Sequence, residues 1–412
     1  MVDYDLVVIG GGAAGLAAAR TGARRGARTL LVHDGPLGGE CTFTGCVPSK
    51  TLIEAAKRRI SYDEAHRRVQ ATVARIARTE DAAALSGEGI DVRRGRARFR
   101  TPGQIEVDGS RISAKRFVIA TGSKPATPPV PGLSDASYLT NETVFELSSL
   151  PVSLAVLGGG AIGCELAQTF ARFGTKVIVI ESADRLLSKE ESEASALVER
   201  ALVRDGVDVR TGAKVERVEA SSGGVRLMLG NGADIEAEHL LVATGRSAVT
   251  EGLDLRGVGV ALDDRGNVRT DAHLETAVDG IYAAGDVTGR LPFTHAADAM
   301  GRVAAGNALQ SRRPPGAWRR SKYDPRATPW VTFTDPEVAR VGITEPEAAT
   351  RGGRVAYLPL DEVDRALTAG RTDGFIKILA GPRPVLRRPF CCCMKGWAQR
   401  TCGVIFRRRC RL

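Results

Sequence analysis

Apolar positions along the chain form two sets with the same layout. The first runs from Tyr4 to Ile9, then through Gly10-Gly11-Gly12-Ala13-Ala14-Gly15, an Ala-rich stretch to about Gly26 and a second apolar run from Thr29 to Val32. The other runs from Ser153 to Leu157, through Gly158-Gly159-Gly160-Ala161-Ile162-Gly163, to about Phe173 and then Lys176 to Ile180. Short apolar runs bounded by glycines predict buried strands, and the stretches between them predict helices. Each set is a βαβ opening with G-x-G-x-x-G at its first turn. One such match is weak; two, each between a strand and a helix, are strong. Further along, Tyr62 to Leu85 reads as one long polar helix, and Arg96 to Val118 as strands with turns at Pro102-Gly103 and Asp108-Gly109. Glu190 to Asp205 reads as a helix, Val207 to Ala243 alternates like a β-meander, and a third region starts near Thr328 with the strand-like Trp330-Val331-Thr332-Phe333.

The glycines have a shared physical purpose. Gly10 and Gly158 make the tight turn, Gly12 and Gly160 let backbone approach a pyrophosphate, and Gly15 and Gly163 let helix pack on strand. The phosphates then rest on the positive helix N-terminus. An acidic residue is expected at the end of the second strand to hold a ribose. Glu181 meets this, 18 residues after Gly163. The same offset from Gly15 lands on His33, with Asp34 next, so Asp34 is the expected carboxylate after a one-residue shift.

Composition agrees with this picture. The chain has 412 residues, 47 of them Gly, and only 5% aromatics, which favours α/β layering over an all-β sandwich. The expected fold is α/β, with two Rossmann-like dinucleotide-binding domains. No signal peptide or membrane span is read: Asp3 and Asp5 replace a basic leader, and the apolar stretch from Val152 to Ala171 is interrupted by glycines and Glu165. A cytoplasmic location follows as an expectation. Eight of the ten net positive charges lie from Val385 onward, so the body is nearly balanced and no nucleic-acid partner is expected. Five of the eight cysteines lie there too, leaving Cys41, Cys46 and Cys164.

Gly38-Gly39-Glu40-Cys41-Thr42-Phe43-Thr44-Gly45-Cys46-Val47-Pro48-Ser49-Lys50 carries the candidate chemistry. In a cytosolic protein a close cysteine pair is catalytic or metal-binding more often than a structural bridge. Pro48 and Ser49 predict a helix start that places Cys46 near its positive end, which favours a thiolate. Lys50 adds positive charge. Zinc ligation wants closer spacing and a second pair or His nearby, so no metal site is assigned.

That stretch resembles the active-site signature of the class I pyridine nucleotide-disulfide oxidoreductases, a family that includes dihydrolipoamide dehydrogenase, glutathione reductase and mercuric reductase. The resemblance covers roughly residues 4–384. Ala120-Thr121-Gly122-Ser123, Thr244-Gly245-Arg246 and Tyr282-Ala283-Ala284-Gly285-Asp286 match further motifs in the family's order, and Thr332 to Glu337 resembles the start of its dimerisation domain. The resemblance implies FAD bound by Gly10, Gly12, Gly15, Asp34, Lys50, Ala97, Thr121, Gly122, Ser123 and Asp286. It implies NAD(H), with NADPH as the alternative, bound by Gly158, Gly160, Gly163, Glu181, Val215 and Gly245. Domains are expected at 1–150 with 270–321 (FAD), 151–269 (NAD(P)) and 322–384 (a partial α+β dimerisation domain), followed by a basic, Cys-rich tail at 385–412.

The implied mechanism passes hydride from NAD(P)H to the flavin, then electrons to the Cys41–Cys46 disulfide and on to a small-molecule or protein thiol or disulfide; in dihydrolipoamide dehydrogenase the flow reverses. Cys46 lies against the flavin, Cys41 attacks the substrate, and Lys50 lies near the flavin beside Glu165. The family also implies a homodimer whose His base acts on the partner's thiols. All five His of this chain precede Gly301, and the stretch from Pro389 reads as an aberrant, frameshift-like tail, so dimerisation and full turnover are not expected of it. Three readings stay open: a thiol or disulfide oxidoreductase, a mercuric-reductase-like enzyme reducing a metal ion, and a non-catalytic nucleotide-binding remnant.

Overall fold

The structure, a computed structural model, describes residues 2–310 and 320–381 and the backbone of 390–392. The tail that the sequence reading set apart lies outside them, that short strand excepted.

In chain order, β1 (Tyr4–Ile9), α1 (Ala13–Arg24) and β2 (Thr29–His33) open the fold as the pattern predicts. α2 (Gly39–Phe43) and α3 (Cys46–Lys57) follow; the first of these is a single turn carrying Cys41. The expected long helix is two, α4 (Tyr62–Ala77) and α5 (Ala82–Gly87). Asp81 caps the second by accepting from Ala84 N at 2.8 Å, and a capped start ends the preceding helix. Then come β3 (Ile90–Arg94), β4 (Ala97–Thr101), β5 (Gln104–Val107), β6 (Ser110–Ile119) and β7 (Ser123–Pro125). The second βαβ unit is β8 (Ser153–Leu157), α6 (Ala161–Phe173) and β9 (Lys176–Ile180), followed by α7 (Ser192–Arg204). β10 (Asp208–Arg210), β11 (Val215–Ser221), β12 (Gly224–Leu229), β13 (Asp234–Ala237) and β14 (His239–Val242) follow. Next are β15 (Arg246–Ala248), β16 (Ile281–Ala283) and α8 (Thr294–Ala308), and later β17 (Pro329–Thr332), β18 (Val338–Val341), β19 (Arg354–Pro359) and β20 (Phe375–Ala380).

The chain forms two compact units. Of the described residues, those within 2–51, 66–126 and 245–325 form the first, and those within 52–65, 127–244 and 326–392 form the second. The boundary differs from the expected one: residues 245–269 pack with the first unit, because β15 pairs with β7 and Leu253 and Leu255 join its core. Its sheet runs β3-β2-β1-β6 in parallel, with β16 alongside β6 and β5-β4 turning antiparallel off it. One face is covered by α1 and α8, the other by a core that includes Val7, Phe99, Phe117 and Ile281. A Cβ on Gly301 would lie 2.1 Å from Ala14 O, so a bare glycine is what lets α8 pack on α1.

In the second unit β10-β9-β8-β14 form a parallel sheet, and β11-β12-β13 a separate antiparallel one. The expected meander is therefore confined to its three middle strands. β10 and β14 extend the Rossmann sheet, where the carbonyls and amides of β9 and β8 offer parallel edges. Lys377, on β20, is buried among the carboxylates of Glu191, Glu193 and Glu345 at 3.1, 2.5 and 2.7 Å.

Candidate active site

Each glycine loop leads from a strand end into a helix. Gly12 and Gly160 are the N-caps, with φ, ψ of −83°, −171° and −76°, −175°, and neither helix start carries a side-chain cap. A Cβ on Gly15 would lie 1.8 Å from Gly10 O, and one on Gly163 would lie 2.0 Å from Gly158 O. A Cβ on Gly12 or Gly160 would meet no described atom within 4 Å. The last glycine of each motif thus lets the helix close on its own loop. The middle one leaves open space before the first helical amides, a cradle that suits a pyrophosphate.

At the second loop Glu181 accepts from Gly159 N at 2.6 Å and Ala183 N at 2.7 Å, so its carboxylate is held beside the cradle. Val215 opens β11, buried opposite Leu229. At the first loop Asp34 does not take the corresponding place. Its side chain is 65% exposed and stands 3.5 Å from Arg96, because the end of β2 places His33, not Asp34, beside the loop.

The remaining candidates of the first unit gather where parallel strands end. Thr121-Gly122-Ser123 leaves β6 and Gly285-Asp286 leaves β16, the strand beside it. Ser123 Oγ donates to Asp286 Oδ2 at 2.7 Å, and Thr121 Oγ1 to Val249 O at 2.6 Å. Gly245 O accepts from Ala126 N at 3.0 Å, which brings the Thr244-Gly245-Arg246 motif to the same place. Ala97 is buried at the start of β4, and Lys50 lies in the first turns of α3. Glu165 lies in α6, where its Oε1 accepts from Phe333 N at 2.8 Å.

Cys46 is the first residue of α3, as the Pro48-Ser49 signal predicts, and Gly45 O accepts from Ser49 N. Cys41 and Cys46 are both partly buried and their sulfurs are not joined. Cys41 hydrogen-bonds Cys46, and this bond is the largest cause holding the Cys41 thiol far above its ordinary pKa; burial adds to it, and Thr294 acts against it. Thr294 Oγ1 also stands 3.3 Å from Cys46 Sγ. Cys41 is thus held protonated by its neighbour and by burial, while Cys46 stands at a helix N-terminus, a place that favours a thiolate. Cys164 differs: it is fully buried in α6, where burial first and then Glu165 and Glu181 push its thiol up.

Sequence reasoning missed three partners of this centre. Thr294 opens α8, 248 positions from Cys46. Arg246 donates bidentately to Glu40, the residue before Cys41, and through Nε to Ser123 Oγ at 2.8 Å. Glu80 accepts from Thr42 Oγ1 at 2.8 Å, next to Cys41 on the other side. Only Arg246 had a signal in the sequence, as the last residue of a recognised motif. Among the described residues no three His, Cys, Asp or Glu stand together as metal ligands, and no helix is long and apolar enough to cross a membrane.

Residues 4–301 match the model of the pyridine nucleotide-disulphide oxidoreductases, and residues 328–384 match the dimerisation domain of the same family. The chain belongs to this family. It is 37% identical to mercuric reductase of Staphylococcus aureus over 399 residues, 92% of this chain and 72% of that protein. To dihydrolipoyl dehydrogenase of Thermus scotoductus it is 35% identical over 403 residues, covering 92% of this chain and 85% of that one. The HOCl-induced flavoprotein disulfide reductase RclA from Escherichia coli superposes with a TM-score of 0.87 at 30% identity, over 98% of this chain and 92% of that chain. The relatives place the chain in class I, whose members are FAD-dependent oxidoreductases that use NAD(P)H and form homodimers through the dimerisation domain.

Proposed function

We propose that this chain carries electrons between NAD(P)H, FAD and the Cys41–Cys46 pair, and exchanges them with a thiol or disulfide substrate. The observation that carries the reading is the pairing of the two thiols beside Thr294, with Cys46 as the first residue of α3. Gly10, Gly12, Gly15, Ser123, Asp286 and Lys50 would hold FAD in the first unit. Gly158, Gly160, Gly163, Glu181 and Val215 would hold the nicotinamide dinucleotide in the second. Bound FAD supplies hydride acceptance and the two electrons that open the disulfide.

The cysteines do the rest. Cys41 attacks one sulfur of a substrate disulfide as its proton passes to the other sulfur, which leaves as a thiol. Cys46 thiolate then attacks Cys41 sulfur, releasing the second substrate thiolate and restoring the Cys41–Cys46 disulfide. Two electrons pass to the substrate and none are left over. Glu181 supports NADH over NADPH, since a carboxylate accepts from a ribose 2′-hydroxyl and repels a 2′-phosphate. A second reading, reduction of a soft metal ion, draws support from the mercuric reductase relatives and from the affinity of paired thiolates for such ions.

The test uses the full chain purified with its visible flavin spectrum. Anaerobic NADH should raise the count of titratable thiols by two in the wild type and by none in Cys41→Ser or Cys46→Ser. A flavin-containing protein whose thiol count NADH leaves unchanged refutes the proposal. NADH oxidation with lipoamide, glutathione disulfide and Hg(II) then separates the substrate readings, and inactivity with all three leaves a nucleotide-binding remnant.

A further inference from the structure

The two glycine loops are built alike, yet the residue that closes each differs. In the second unit Gly158 N donates to Ile180 O at 2.9 Å, and Glu181 follows directly. In the first, Gly10 N donates to Val32 O at 2.8 Å, and His33 follows. The next contact agrees: Leu187 N donates to Gly159 O, and Gly38 N to Gly11 O, both at 2.9 Å. A Cβ on Gly159 would meet Glu181 Cβ at 3.0 Å, and one on Gly11 would meet His33 Cβ at 3.3 Å. By backbone hydrogen bonds and by the base of the side chain, His33 occupies the place of Glu181.

The imidazole is oriented. Its Nδ1 lies 2.5 Å from Gly35 O. A carbonyl oxygen only accepts, so Nδ1 carries the hydrogen and Nε2 of the neutral ring keeps its lone pair. A residue in this place accepts from a ribose 2′-hydroxyl. Neutral Nε2 has the required polarity, with one acceptor site and no charge where a carboxylate has several and a full charge. We propose that His33, through Nε2, accepts from the adenosine 2′-hydroxyl of FAD in this chain, and that Asp34 takes no part. The inference rests on the proposal that the first unit holds FAD.

The test is equilibrium binding to protein freed of its flavin, followed by quenching of flavin fluorescence. The two probes are FAD and an FAD whose adenosine carries 2′-deoxyribose. His33→Ala should weaken FAD about fivefold, the factor one neutral hydrogen bond commonly contributes. It should leave the deoxy probe unchanged, because the partner hydroxyl is already gone. His33→Gln, which keeps an acceptor and guards against a folding defect in the alanine variant, should still distinguish the probes, and His33→Glu should bind FAD at least as tightly as wild type. Equal binding of FAD by wild type and His33→Ala overturns the inference, as does an equal loss with both probes, or a loss seen in Asp34→Ala instead. A wild-type protein that takes up no FAD overturns the cofactor reading itself, a result distinct from any of these.

Discussion

Replacing Thr294 by valine takes one hydroxyl from beside the cysteine pair and keeps the side chain's shape. That hydroxyl stands 3.3 Å from Cys46 Sγ. The Cys41 thiol is raised first by its hydrogen bond to Cys46 and then by burial, and Thr294 is the group that pulls it back down. A hydroxyl that donates to sulfur stabilises the thiolate and not the thiol, so its loss raises the pKa at which the pair gives up its proton. Hydrogen bonds to charged groups contribute about 1.5–3 kcal/mol, and a large, diffuse sulfur at this distance belongs at or just under the low end. About 1.4 kcal/mol corresponds to about one pH unit. The assay is the rate of alkylation by iodoacetamide of the dithiol form as a function of pH. The midpoint should move up by about one unit in Thr294→Val and return toward wild type in Thr294→Ser. A valine variant with an unmoved midpoint refutes the assignment of Thr294 to the thiolate.

Glu181→Gln removes the charge and leaves one acceptor oxygen for Gly159 N and Ala183 N, which the carboxylate holds with separate oxygens; kcat/KM for NADPH relative to NADH should rise roughly tenfold, about 1.4 kcal/mol of discrimination. Arg246→Met leaves Glu40 without its bidentate partner in a site where the two side chains are 29% and 14% exposed; urea denaturation followed by flavin release should show a loss of about 2–3 kcal/mol. Lys377→Met strands Glu191, which is 5% exposed, among two further carboxylates; thermal unfolding should register a loss of about 3–5 kcal/mol, partly recovered by adding Glu191→Gln.

Much of this centre could be read from neighbouring residues. The strand–glycine–helix openings, the helix start at Cys46 and the close cysteine pair all depend on groups a few positions apart, where steric and hydrogen-bonding preferences act directly. The break between α4 and α5 was local too, but Asp81 among polar neighbours looks no different from a solvated helix face until its contact with Ala84 N is formed. At the first loop the expected carboxylate, Asp34, lies one residue beyond the place that the loop's backbone fixes: Gly10 N donates to Val32 O, and His33 follows directly.

Other features belong to the fold alone. Alternation along β10 to β14 does not say whether a strand will pair parallel or antiparallel, because both leave alternate side chains on one face. Thr294 beside Cys46 and Arg246 on Glu40 join residues 248 and 206 positions apart. Their meeting depends on α8 packing on α1 at Gly301 and on β15 pairing with β7. Local sequence therefore determined the type and position of the reactive groups. Tertiary packing decided what surrounds them: the largest influence on the Cys41 thiol, its hydrogen bond to Cys46, is local, whereas the burial that adds to it and the Thr294 hydroxyl that opposes it depend on distant parts of the chain meeting there.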